Sequence, residues 1–186
     1  HGLNTWQHLD WVRAENGCMQ AVREAVEDGR VRHVGFSTHA PLEVILAAIN
    51  TDFFEFINLH YYYFFQRNQK AVELAAEKDM GIFIISPADK GGRLYTPPEK
   101  LKELSYPFSP LELNYRFLLS DTRITTLSVG AATPDELMQP LKVADKDGKL
   151  NLEEIAVFKR LENHQNTVLE TEKCSQCYEC LPCPEN

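Results

Sequence analysis

No apolar run in this sequence approaches the length of a bilayer, so nothing in it reads as a membrane span. It also has no basic opening segment followed by an apolar stretch, the pattern of a secretory leader. Cysteine is scarce outside the last thirteen residues, where four of the five lie; Cys18 stands alone. A disulfide framework brings distant stretches of chain together, so this clustering argues against one and for metal chemistry in a reducing compartment, with the cytoplasm as the expected location. Basic residues are outnumbered, 19 Lys and Arg against 27 Asp and Glu, and the net charge is −8. An acidic surface repels a phosphate backbone, so nucleic acid is not an expected partner. The chain opens on His1 rather than Met and stops at Asn186, just past a Cys-Pro pair, which reads as two cut ends of a longer protein.

What is present is an alternation of short apolar strands and amphipathic helices. The 186 residues, 44% apolar and 25% charged, suit one sizeable core with a small appendage. Residues 31–37, 53–61, 81–86 and 124–129 read as strands. The unbroken apolar run GIFIIS at 81–86 is that of a strand buried on both faces. Helices are expected over 18–27, 41–50, 66–78, 97–104 and 110–119, and Cys18 is expected to be a buried apolar residue of the first. Thr133-Pro134-Asp135-Glu136 starts a further helix: Thr caps, Pro takes the first helical position, and Glu follows three residues after the cap. Asn151 with Glu154 repeats the signal for a helix running to about Leu161. Buried strands alternating with helices imply parallel pairing and right-handed crossovers. Four such units are half of a (β/α)8 barrel, and a small doubly wound sheet fits the pattern about as well.

Four passages carry a resemblance. Val34-Gly35-Phe36-Ser37-Thr38-His39 resembles the end of the fifth strand of aldo/keto reductases, and Phe56-Ile57-Asn58-Leu59-His60-Tyr61 the sixth. Ile84-Ile85-Ser86-Pro87, followed by Lys90-Gly91-Gly92-Arg93-Leu94, resembles the seventh strand and its glycine loop. Ser128-Val129-Gly130-Ala131 with Thr133-Pro134-Asp135-Glu136-Leu137 resembles the eighth strand and its cofactor loop. The resemblance implies an α/β fold: the C-terminal half of a (β/α)8 TIM barrel with parallel strands over residues 1–145. A helical, cysteine-rich extension would follow over 146–186. It places His1 where the family carries the histidine that orients the substrate carbonyl; the family's Asp, Tyr and Lys lie on strands that precede this sequence. It also places Ser37, Thr38, Asn58 and Ser86 at the tips that contact the nicotinamide, and Gly130, Ala131 and Thr133 on the phosphate loop. Thr38 stands where Asn is more usual, Asn58 where Gln is, and Ile85 where many members have a stacking Tyr. Simple strand-end packing would explain the same tip residues. No Lys or Arg follows Gly130 closely, whereas Asp135 and Glu136 do, so the choice between NADP and NAD stays open.

Cys174-Ser175-Gln176-Cys177-Tyr178-Glu179-Cys180-Leu181-Pro182-Cys183-Pro184 is the sharpest signal in the chain. Thiolates two residues apart can wrap an iron–sulfide cube, and a proline after the last cysteine stops the turn. Bacterial ferredoxins have one more residue before the fourth ligand, but one branch of the aldo/keto reductase family ends in C-x2-C-x2-C-x2-C-P, as here. That resemblance implies a [4Fe-4S] cluster on Cys174, Cys177, Cys180 and Cys183. A zinc site more often takes two separate C-x2-C knuckles. Two other passages invite readings. Asp145 to Glu154 imitates a calcium loop, but Val143 would fall at its first ligand position, and an interhelical turn before a capped helix explains the same residues. The run Tyr61-Tyr62-Tyr63-Phe64-Phe65 could line a pocket, with packing the simpler account. The expected activity is NAD(P)H-dependent reduction of a small-molecule carbonyl, or oxidation of an alcohol, by the full-length parent; this portion alone is expected to be inactive. A missing barrel half or a second chain would cover the open edges, and the cluster could have an electron-transfer partner. The alternative is a non-catalytic redox-sensing or electron-carrying protein that reuses the barrel.

Overall fold

In the computed structural model, which describes residues 1–146 and 148–169, the chain runs α1 (Trp6–Arg13), α2 (Cys18–Glu27), β1 (Gly35–Ser37), α3 (Leu42–Ile49), β2 (Phe56–Leu59), α4 (Gln69–Glu77) and β3 (Gly81–Ile84). A 3-10 turn (Arg93–Tyr95), α5 (Glu99–Ser105), α6 (Pro110–Leu119), β4 (Thr126–Leu127), α7 (Pro134–Leu141) and α8 (Leu152–Leu169) follow. The strands are shorter than their apolar runs because only these residues meet a neighbour in register. The four pair in parallel in the order β1-β2-β3-β4. A doubly wound sheet reverses its strand order at a switch point. Here every crossover steps the same way, so right-handed connections put all the helices on one face. This is the arrangement of part of a barrel wall.

The two faces of the sheet follow from alternation. On the helix side Phe36, Ile57, Leu59, Ile82 and Ile84 are buried against Val44, Ile45, Ala48 and Ile49 of α3 and Ala71, Val72 and Ala75 of α4, a single apolar cluster. On the other side the register aligns Gly35, Phe56 and Gly81 in one row and Ser37, Asn58, Phe83 and Thr126 in the next. Phe56 and Phe83 stack there with centroids 5.1 Å apart. A Cβ at position 35 would lie 2.3 Å from the Phe56 ring, so glycine is the residue that lets the ring lie across β1.

The caps form as the sequence implies. Thr133 Oγ1 accepts from Glu136 N–H, and Asn151 Oδ1 accepts from Glu154 N–H while the Glu154 carboxylate returns to Asn151 N–H. One helix, α1, has no counterpart in the sequence reading; Thr5 caps it by accepting from His8 N–H. Another, α8, outruns its expected end at Leu161, and Val157 and Leu161 pack on Leu113 of α6. One expectation changes. Cys18 is exposed at the first turn of α2, because that helix buries only Met19. The calcium-like stretch is the expected turn before a capped helix, and Arg116 braces it by donating to the carbonyls of Lys146, Gly148 and Lys149 and to the Glu154 carboxylate. The aromatic run is largely packing: Tyr61 and Tyr62 are buried, and the Tyr63 ring lies 4.5 Å from that of Phe158.

Candidate active site

The strand tips gather polar groups at the C-terminal edge of the sheet. Before β1, the segment Gly2 to Asn4 runs along the outer edge of that strand. Gly2 N–H donates to Ser37 Oγ (3.0 Å), Leu3 N–H to the Ser37 carbonyl (2.9 Å), and Asn4 Oδ1 accepts from His39 N–H (2.8 Å). His1, exposed, precedes Gly2 in this segment. Ser37 Oγ accepts from Gly2 and keeps its own proton to donate. Thr38 is buried, and its hydroxyl is taken up by the backbone, donating to the Leu3 carbonyl (2.7 Å) and accepting from Ala40 N–H (3.1 Å).

Asn58 pairs in register with Ser37, and its Oδ1 is buried without a hydrogen-bond partner. An orphaned amide oxygen at this depth costs about 1–3 kcal/mol, which a ligand N–H would recover. Ser86 follows β3 in the left-handed region at φ 53°, two residues beyond the Ile84 carbonyl that accepts from Ser128 N–H. At the opposite edge of the sheet Gly130, Ala131 and Thr133 are exposed. Tyr95 OH donates to the Gly130 carbonyl (2.9 Å). The Glu136 carboxylate accepts from Ala132 N–H (2.7 Å), so one amide of this loop already holds an anion, the protein's own. The structure thus brings Ser37, Thr38, Asn58 and the His1 segment together, with Ser86 on the next strand. The Gly130 loop stands apart from them at the far edge.

Two further residues at the tips were missed in the sequence. His60 Nε2 lies 2.9 Å from His39 Nδ1, with ring centroids 4.8 Å apart. Burial, together with the charges of His39, Lys90 and Arg67, pulls the His60 imidazole down to about 4, against the opposing pull of Asp89. The Asp89 carboxylate accepts from Tyr62 OH (2.8 Å) and from Lys90 N–H (2.7 Å), and burial and that bond push the Tyr62 phenol upward. The signal was there: Ser37-x-His39 and Asn58-x-His60 repeat one spacing at two adjacent tips. Cys174, Cys177, Cys180 and Cys183 lie outside the described residues. Among the described residues no group of three or more His, Cys, Asp or Glu side chains is arranged to hold a metal ion.

A sequential parallel sheet with its helices on one face and its polar groups at the C-terminal tips defines a class: a segment of a (β/α)8 barrel whose loops build the mouth. Among solved structures, the chain is similar to the aldo-keto reductase AKR11C1 from Bacillus halodurans. The holo form matches with a TM-score of 0.63 and 21% identity, over 76% of this chain and 52% of that one. Its apo form gives 0.63 and 19%, over 80% and 58%. The thermostable aldo-keto reductase Tm1743, solved with the inhibitor epalrestat, gives 0.57 and 19%, over 76% and 53%. The fold is that of the aldo-keto reductase barrels, and the chain spans little more than half the length of these structures. No protein-family model matches the chain, and no curated protein matches it significantly.

Proposed function

We propose that residues 1–145 are strands five to eight of a nicotinamide-dependent aldo/keto reductase and that residues 146–186 are an extension ending in an iron–sulfur segment. The observation that carries the reductase reading is the pairing of Ser37 with Asn58. A nicotinamide carboxamide needs one donor and one acceptor. The Ser37 hydroxyl has a proton to donate, and the Asn58 Oδ1, buried without a partner, would accept from the amide once its side chain turns toward the mouth. The chain's own groups therefore fit the cofactor, whose contribution when bound is a hydride for the substrate carbonyl. Ser37 and Asn58 orient its ring; Ser86 and the Gly130, Ala131 and Thr133 loop border the remainder. His1 is the residue here that would orient the carbonyl of a small-molecule substrate. Thr38 contributes by fixing the Leu3 backbone beside the tips. A 2′-phosphate at the Gly130 loop would meet the Glu136 carboxylate, so NADH and NADPH are both to be assayed.

The reading is tested with the full-length protein by titrating NADH and NADPH against intrinsic fluorescence. Binding of either, weakened about tenfold or more in Asn58→Ala, is the expected result. Unchanged affinity in the variant would remove Asn58 from the site, and no binding of either cofactor would end the reductase reading.

The iron–sulfur assignment is supported by cysteine spacing. Anaerobically purified protein is expected to show broad visible absorbance that bleaches with dithionite, and to lose it when Cys177 and Cys180 are replaced by Ser. Colourless protein holding zinc would overturn it.

A further inference from the structure

The Ser37 donor in the reading above is a hydroxyl, and a hydroxyl rotates. Where its proton points is set by what occupies its oxygen, here Gly2 N–H at 3.0 Å. Gly2 lies in the left-handed region at φ 70°. Glycine has the widest choice of backbone conformations, so contacts with neighbours must hold it there.

Strand β1 supplies one set of contacts. Leu3 N–H donates to the Ser37 carbonyl (2.9 Å), and the Thr38 hydroxyl donates to the Leu3 carbonyl (2.7 Å). The other set comes from one ring on the first turn of α1. His8 Nδ1 lies 2.9 Å from the Gly2 carbonyl oxygen and 3.2 Å from Asn4 N, whose N–H points at it. This nitrogen has a partner in either tautomer: carrying a hydrogen it donates to the Gly2 carbonyl, and without one it accepts from Asn4 N–H. The peptide that follows Gly2 thus meets Ser37 at its N–H and His8 at its carbonyl. His8 is itself fixed. Its half-buried ring stacks on Trp11 with centroids 5.2 Å apart, and its backbone N–H donates to the Thr5 hydroxyl (3.2 Å).

We infer that His8 is a positioning residue: by holding the Gly2–Asn4 segment against β1 it keeps Gly2 N–H on Ser37 Oγ, and so turns the Ser37 proton toward the ligand at the tips. The inference rests on the reductase reading only for the identity of that ligand, the nicotinamide carboxamide.

Two measurements on the full-length protein separate the inference from that reading. In the first, affinity for whichever of NADH and NADPH binds more tightly is measured in a double-mutant cycle. His8→Ala is expected to weaken binding about fivefold, the loss of one hydrogen bond's worth of ordering, and to cause no further loss in a Ser37→Ala background. His8→Asn is expected to restore most of the affinity, because its amide offers a donor and an acceptor on the carbon that carries the ring nitrogen in histidine. An equal loss in the two backgrounds would mean that His8 acts on the fold at large and would overturn the inference, as would no loss in either. The second measurement needs no cofactor and follows amide hydrogen exchange by NMR. Exchange at Gly2 is expected to quicken about tenfold in His8→Ala and to slow again in His8→Asn. Thr38 N–H, which donates to the Asn58 carbonyl (3.0 Å), is expected to keep its wild-type rate in both variants. Faster exchange confined to Gly2 in a protein that binds neither cofactor leaves the clamp standing, and the reductase reading alone fails. Unchanged exchange at Gly2, or faster exchange at Gly2 and Thr38 alike, rejects the clamp.

Discussion

At the scale of single residues, the tips show how identical chemistry is put to different use by its surroundings. Thr38 and Ser37 are adjacent hydroxyls, yet one is taken up by backbone groups and the other keeps a proton to give. His60 and His39 are alike in sequence, and burial separates them. The depressed value of His60 has a consequence for stability. An unfolded chain takes up a proton on this side chain near 6.5, whereas the folded chain resists until about 4. The stability it contributes is present above pH 6.5 and is lost progressively as pH falls from there to 4. Burial sets the sign, His39, Lys90 and Arg67 reinforce it, and Asp89 alone opposes it. Urea midpoints measured at pH 7 and pH 5 are expected to differ less in His60→Gln than in the wild type; an identical pH response in the two would show that His60 is not the group responsible.

At the scale of elements, one side chain of α6 adds a buried ion pair to the apolar packing that anchors α8. Arg116 and Glu154 are buried, with side chains 5% and 4% exposed. Burial raises the Glu154 carboxyl, but bonds from Arg116 and Asn151 and the charges of Arg116 and Lys146 outweigh it and hold the group below its ordinary value. Arg116→Met leaves that carboxylate and three loop carbonyls without their donor. Its expected cost is about 3–5 kcal/mol in chemical denaturation, with much of the loss recovered in the double variant Arg116→Met, Glu154→Leu. A single variant as stable as the wild type would mean the pair is dispensable. The reciprocal bonds of Asn151 and Glu154 were legible in the sequence as a capping signal. The second partner of Glu154 was not, because Arg116 is 38 residues away and no local rule connects them.

At the scale of the whole molecule, the sheet is an arc with apolar groups left at its β4 side. Leu137, Met138 and Leu141 on α7 are 47%, 56% and 53% exposed, and Val129 just beyond β4 is 42% exposed. Neighbouring large apolar side chains of this exposure bind hydrophobic dyes and favour association. This chain by itself is expected to enhance the fluorescence of anilinonaphthalene sulfonate, and Leu137→Gln with Leu141→Gln to reduce that enhancement by about half or more without lowering helix content by circular dichroism. Equal enhancement in the variant would place the dye elsewhere. The solved barrels extend well beyond the part this chain matches, which agrees with an arc that is not a closed wall.

The sequence by itself determined what depends on spacing along the chain. Strands and helices alternate as their periodicities require, Thr133 and Asn151 start the helices they announce, and cysteines recur at every third position from 174 to 183. It left open whether the strands formed a barrel wall or a doubly wound sheet, since both are written with the same pattern of apolar residues. Only the tertiary structure decided that order, and with it that Ser37 meets Asn58, that His39 meets His60, and that a guanidinium fills the loop before α8. The reason is physical: contacts a few residues apart are dictated by backbone geometry, while contacts between distant segments wait on the register and burial of the whole sheet.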